Sequence, residues 1–168
     1  NSGHVRVFNF NTNSNDWIQI GSSIAGEYIG DKSGSALSFD KSGNTIAIGA
    51  VDNDGNGISS GHVRVFSFNG TNWSQIGSDI DGEASNDFFG HSVSLSSKGN
   101  RLAIGAYGND GNGISSGHVR IYNYNGVFWE KIGSDINGEA ANNYSGWAVG
   151  LNSLGDKILI GAKYNDEN

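Results

Sequence analysis

Residues 53–64 read Asn-Asp-Gly-Asn-Gly-Ile-Ser-Ser-Gly-His-Val-Arg, and residues 109–120 repeat them letter for letter. A third copy appears in two pieces, Asn165-Asp-Glu-Asn168 at one end and Asn1-Ser-Gly-His-Val-Arg6 at the other. Repetition at a fixed period means one structural unit used several times, each copy burying itself against the next. The period is 56 residues: Trp17, Trp73 and Trp129 keep it, as do Glu27, Glu83 and Glu139, and Gly49, Gly105 and Gly161. The first unit carries two extra residues in the loop 11–16, against the loop 69–72 in the second.

Each unit predicts four short strands. The first is Ser92-Val-Ser-Leu95, matched at 36–39 and 148–151. The second is 101–106, matched at 45–50 and 157–162. Ser97-Lys-Gly-Asn100 between them is a tight turn, with Gly at the place that needs positive φ. The third is 62–68, and the fourth starts at Trp73 and runs through Ile76 toward Ile80. Asn69-Gly70 and Asn125-Gly126 join strands three and four as hairpins. No useful stretch has helical periodicity. The expected fold is all-β, about three repeats of 56 residues, each a four-stranded antiparallel blade of propeller type. The array 1–168 divides into the second half of a blade (1–34), two blades (35–90 and 91–146) and the first half of a blade (147–168). The terminal half blades are expected to be completed by other copies of the chain or by adjoining repeats. Asn1 is not an initiator residue, so the chain reads as processed or as part of something longer.

Phe89-Gly-His-Ser-Val93, then Ile104-Gly-Ala106, then Gly117-His-Val-Arg-Ile-Tyr122 resemble the FG-GAP repeat of integrin alpha-chain propellers. The same repeat builds long arrays in secreted bacterial and algal proteins. The resemblance implies an extracellular or cell-surface location, and near-identical units that present the same surface again and again read as a non-enzymatic module for assembly or adhesion, forming either a closed ring of copies or an open filament, with the filament favoured. Its alternative is a carbohydrate-binding, lectin-like propeller. Two departures stand out. The Phe-Gly pair is intact only at Phe89-Gly90, against Ser33-Gly34 and Ser145-Gly146. The loops 40–44, 96–100 and 152–156, where the family holds calcium, are short and poor in carboxylates, so its calcium sites do not carry over.

Charge and composition exclude several classes. Net charge is −7 with no basic cluster, which argues against nucleic acid as a partner. No apolar run is long enough for membrane insertion. The chain has no Cys, which removes disulfides and thiolate chemistry.

The candidate sites are few. Asp52, Asp54 and Asn56 alternate like the start of a calcium loop, set against an Asx-rich turn that needs no ion. No other cofactor is expected. The Glu that recurs at 27, 83 and 139 reads as an acceptor for backbone N–H groups between blades. His4, His62 and His118 precede Val-Arg and read as hydrogen-bonding structural residues. Trp17, Trp73 and Trp129 read as packing against the neighbouring blade. Trp147 is unique to its repeat and is the candidate for stacking on a sugar, with glycans as the corresponding partner. Asn69, Asn72 and Asn143 match the N-glycosylation pattern and make the chain a candidate glycoprotein.

Overall fold

The computed structural model describes residues 1–166. Glu167 and Asn168, which belong to the split third copy of the repeated motif, lie outside the described residues. Among the described residues there are strands and turns but no helix. The chain opens with β1 (His4–Val5), β2 (Phe8–Asn11), β3 (Asp16–Gln19) and β4 (Ile24–Ala25). It continues with β5 (Ser33–Phe39), β6 (Thr45–Ala50), β7 (His62–Phe68), β8 (Trp73–Gln75) and β9 (Ile80–Asp81). Then come β10 (Ser92–Leu95), β11 (Arg101–Ala106), β12 (His118–Tyr124) and β13 (Trp129–Asn137), and finally β14 (Ser145–Leu151) and β15 (Ile158–Ala162).

All ladders between these strands are antiparallel, and they form blades. One sheet has the order β10-β11-β12-β13; another has β5-β6-β7-β8, with β9 also on β7. Hairpins β2-β3 and β14-β15 stand at either side, with β1 on β4. The two full sheets share one register, Ile48 opposite Arg64 in the first and Ile104 opposite Arg120 in the second.

Burial shows how the sheets stack. In β6 every residue after Thr45 is buried, and in β11 every residue after Arg101. A strand buried on both faces needs no alternation of apolar and polar residues. Ile46 and Ile48 face backward into a cluster with Val5, Val7 and Ile24, while Ala47 faces forward into the cluster that holds Val93, Leu95 and Phe89. β15 is covered on one face only and alternates: Leu159, the counterpart of Ala47 and Ala103, is 79% exposed where they are 0%. The same logic exposes Leu37 and Phe39, whose counterparts Val93 and Leu95 are buried.

Two details differ from the sequence expectation. β5 and β14 begin at Ser33 and Ser145, not at 36 and 148, because a register shift lets one extra turn of chain join the ladder. Gly34 and Gly146 sit in these shifts at φ +96° and +83°, a region that disfavours any side chain. The fourth strand is broken into β8 and β9 in one sheet but runs unbroken to Asn137 in the other. The strand three–four hairpin has the expected loop 69–72: Phe68 pairs Trp73, and Asn69 Oδ1 accepts the N–H groups of Thr71 and Asn72, each at 2.9 Å.

Candidate functional site

The chemistry of this chain gathers at the joint between successive sheets, and the backbone of that joint is built three times, first with Gly26 N–H on Gly3 O at 2.9 Å and Ser33 N–H on Ser2 O at 3.0 Å. Its floor is backbone. Gly82 N–H donates to Gly61 O at 2.8 Å and Gly138 N–H to Gly117 O at 2.7 Å. Phe89 N–H reaches Ser60 O at 3.0 Å, and Ser145 N–H reaches Ser116 O at 2.9 Å. Two Asn residues of the identical motif tie the loops down. Asn53 Nδ2 donates to Asp31 Oδ2 at 3.1 Å and Asn109 Nδ2 to Asp87 Oδ2 at 3.0 Å, all four residues buried. Asn56 and Asn112 Nδ2 donate to Gly82 and Gly138 O, both at 2.8 Å. The exact repetition of the motif is thus the repetition of a hydrogen-bonded joint.

At the first two joints a Glu–His–Arg–Asp cluster sits above this floor. Glu27, His62 and Asp79 present their ligand atoms within 4.8 Å of one another, as do Glu83, His118 and Asp135. Arginine completes each set. Arg120 forks onto Asp135, Nε at 3.0 Å and Nη2 at 2.8 Å, and also contacts Glu83. Arg64 Nη1 lies 3.6 Å from Glu27, and its Nη2 donates to Ala25 O at 2.7 Å. The recurring Glu therefore faces the cationic side chain of the following motif. The expectation that it accepts backbone N–H groups is corrected: a carboxylate beside a buried guanidinium gains a charge-assisted contact.

The histidines are buried more than a surface reading would have them. His62 is 2% exposed and His118 1%, while His4 is exposed. His118 Nε2 has no hydrogen-bond partner. His62 Nδ1 stands 3.9 Å from Glu27, too far for a hydrogen bond. Burial holds both His62 and His118 below the usual imidazole range, and the neighbouring Arg64 and Arg120 act in the same direction. Both rings are therefore neutral at pH 7. For Arg120, hydrogen bonds to Asp135 and Glu83 outweigh the opposing burial and raise its pKa. The same Arg120 contact holds the Asp135 carboxyl well below its usual range.

The structure spreads the other sequence candidates apart. Asp52 pairs with Lys32 at 2.6 Å. Asp54 Oδ1 accepts Ser59 N–H at 2.8 Å, and Asn56 turns its amide to Gly82 O. Each of the three spends its side chain on a different partner, two of them inside the turn and joint just described. Asn69 is exposed at its hairpin tip, and Asn72 Oδ1 bridges to Ser22 of the preceding hairpin at 3.2 Å. Asn143, by contrast, is 7% exposed, and its Oδ1 accepts Ala140 N–H at 2.7 Å. It occupies the place of Asp31 and Asp87 in the joint.

Trp147 is half-buried in an aromatic rim. His91 and Tyr107 lie beside it, with centroids 4.6 and 4.8 Å away, and Lys163 Nζ stands 4.0 Å over its ring. Phe88 stacks on Tyr107 at 5.0 Å, and Tyr144 links Tyr107 to Tyr164. Sequence reasoning found Trp147 but missed the rim, because residues sharing a column differ in kind: His91 stands one period before Trp147, Phe88 before Tyr144 and Tyr107 before Lys163. It also missed Arg64 and Arg120 as partners of the Glu. Their signal was available: both charges recur once per unit.

With this geometry in place, residues 79–122 match the FG-GAP repeat family model. The match contains Phe89-Gly90, and Phe89 is 0% exposed at the centre of the larger core. The stretch is similar to an FG-GAP repeat, as its residues led us to expect. No curated protein matches the chain.

Proposed function

We propose that this chain is a non-enzymatic, extracellular repeat module that serves assembly or adhesion and extends as a filament. The observation that carries the reading is the joint itself, built with the same types of partner and near-identical distances from one boundary to the next. Identical joints add units without limit, and repeated surfaces suit multivalent contact. The Glu–His–Arg–Asp cluster supports the same conclusion. It recurs with the repeat, and in the second copy arginine holds both carboxylates, leaving them bound as a structural network. FG-GAP repeats are typically extracellular and non-catalytic, and among the described residues no helix is long and apolar enough to cross a membrane. The role needs no cofactor. The test is immunogold labelling of intact cells with negative-stain microscopy of the native material. Surface label on elongated particles is the expected result; label confined to the cell interior, or compact single particles, contradicts the reading.

A second reading is a carbohydrate-binding module. Its support is the aromatic rim around Trp147, which the first unit lacks: Ser35 and Val51 stand where His91 and Tyr107 stand. Aromatic clusters at a surface offer faces to sugar rings. Glycan-array binding that Trp147→Ala abolishes would favour it; an array with no signal above background removes it.

A further inference from the structure

The two Glu–His–Arg–Asp clusters stand at equivalent places, yet their side chains are paired differently. At the second joint the carboxylates are taken. Arg120 Nε and Nη2 fork onto Asp135, Lys131 also binds Asp135, and Arg120 contacts Glu83. At the first joint Gln75 stands where Lys131 stands, and Asp81 where Asn137 stands. Arg64 does not fork onto Asp79: its Nη2 goes to Ala25 O at 2.7 Å, and its Nε is buried without an acceptor. Among the described residues Asp79 accepts one hydrogen bond, from the neutral amide of Gln75 at 2.6 Å. Three carboxylates, Glu27, Asp79 and Asp81, thus surround His62 with one guanidinium among them. At the second joint two carboxylates meet two cations. His62 is 2% exposed, and its Nδ1 faces Glu27 Oε2 across 3.9 Å with no hydrogen bond. A buried ring nitrogen left unpaired beside two carboxylates calls for a ligand that satisfies all three. The cluster owes nothing to the outer faces of the chain, since His62 and Arg64 are as buried as His118 and Arg120.

We propose that Glu27, His62 and Asp79 bind one divalent transition-metal ion of the zinc class across the first joint. One imidazole nitrogen and two carboxylate oxygens form a ligand set that zinc accepts, with water in the fourth position. The set suits a borderline-soft ion better than calcium, which takes six to eight oxygens. The three ligand atoms already lie within 4.8 Å of one another. Zinc at about 2.0–2.2 Å from each would draw them closer still. Glu27 is exposed and free to move in. Asp79 lies in the break between β8 and β9, whereas its counterpart Asp135 is held inside unbroken β13. The surplus negative charge of Asp79 and Asp81 is what a divalent cation neutralises. The ion would tie Glu27, which precedes β5, to His62 of β7 and so fasten one sheet to the next. At the second joint Arg120 and Lys131 make that tie with protein charges alone. The inference goes beyond the repeat-module reading and does not rest on it.

Isothermal titration of zinc into the chain, freed of metal and carrying no histidine tag, tests this. One zinc per chain should bind, and the melting temperature should rise with zinc. His62→Gln and, separately, Asp79→Asn should abolish that binding. His118→Gln, His4→Gln and His91→Gln should leave it unchanged. Gln75→Lys, which installs the cation of the second joint, should weaken it about tenfold or more. Circular dichroism identifies a variant that has merely unfolded. Cobalt(II) supplies an independent readout: its visible absorption should intensify with the wild type and not with His62→Gln. Absence of zinc binding up to millimolar concentration overturns the proposal. So does binding that survives His62→Gln and Asp79→Asn, or that His4→Gln or His91→Gln removes. A second zinc lost on His118→Gln would overturn the difference between the two joints from which the site is argued. All of these outcomes leave the repeat-module reading to its own test on intact cells.

Discussion

Trp129 rests on the backbone of Gly77: a Cβ there would come within 2.8 Å of the indole Cδ1, and the indole N–H bonds to the neighbouring Ile76 O. Gly77 also has φ +73°. Gly133 matches it in backbone, at +72°, but has open space where the Trp would be. The pair separates two costs of replacing a glycine. Gly133→Ala should lose only the left-handed backbone penalty, about 1–2 kcal/mol. Gly77→Ala should lose that plus the displacement of Trp129, at least 1 kcal/mol more in line with overpacking costs. Urea unfolding of the two variants under dilute conditions measures the difference; equal losses would refute the contact's importance.

Acid should loosen the joints before it titrates most carboxylates. Burial holds His62 and His118 below the ordinary imidazole value of 6.5. The unfolded chain therefore binds more protons than the folded chain once pH falls below about 6.5. Their contribution is fully present above that pH and is lost progressively as pH falls toward their folded values. The slope reaches up to about 1.4 kcal/mol per pH unit per histidine. Asp135 acts in a lower window, present above the carboxylate value of 3.8 and lost below it. Unfolding free energies between pH 7 and pH 5 should decline for the wild type and flatten in His62→Gln/His118→Gln. A wild-type profile flat across this range would contradict the account.

How far these features were legible depended on whether a local pattern carried them. The bounds of β6, β7, β10 and β11 were readable because turns and Asn-Gly loops punctuate them. The early start of β5 was not, since Ser33-Gly34-Ser35 lacks apolar residues and joins the ladder through a register shift. The packing role of Trp73 was readable from its period and is borne out by its bond to Ile20 O. The Arg120–Glu83 contact joins residues that are distant in sequence, so no single local window shows it, and only the shared period of the two charges points to it. The same holds for Phe88, Tyr107 and Tyr144, which meet only after two sheets are stacked.

Calcium should leave the melting temperature unchanged. The oxygens a calcium loop would need are in use: Asp52 on Lys32, and Asp54 on Ser59 N–H. Calcium binding requires six to eight oxygens, several of them carboxylate. Scanning calorimetry of the metal-free chain with EDTA and with excess calcium should give superimposable curves; a shift of many degrees that calcium restores would disprove this.

Glycan, where the chain passes through a glycosylating secretory route, should sit at the 69–72 hairpin and not at Asn143. Asn69 and Asn72 are exposed, and Asn143 is 7% exposed. Peptide mass spectrometry should find modified Asn69 or Asn72, and unmodified Asn143. Occupied Asn143 would require a different joint.

The central claim is that one Trp-on-Gly joint is repeated between sheets, Trp73 on Gly21 as Trp129 on Gly77, while Trp17 stands 63% exposed. Urea unfolding of Trp17→Ala, Trp73→Ala and Trp129→Ala, at concentrations low enough to keep the chain monomeric, tests it most directly. Trp73→Ala and Trp129→Ala should each lose about 3–5 kcal/mol, the cost of truncating a large packed aromatic. Trp17→Ala should lose less than about 0.5 kcal/mol, as expected for an exposed side chain. Similar losses at all three positions, or a small loss at Trp129, would contradict the account.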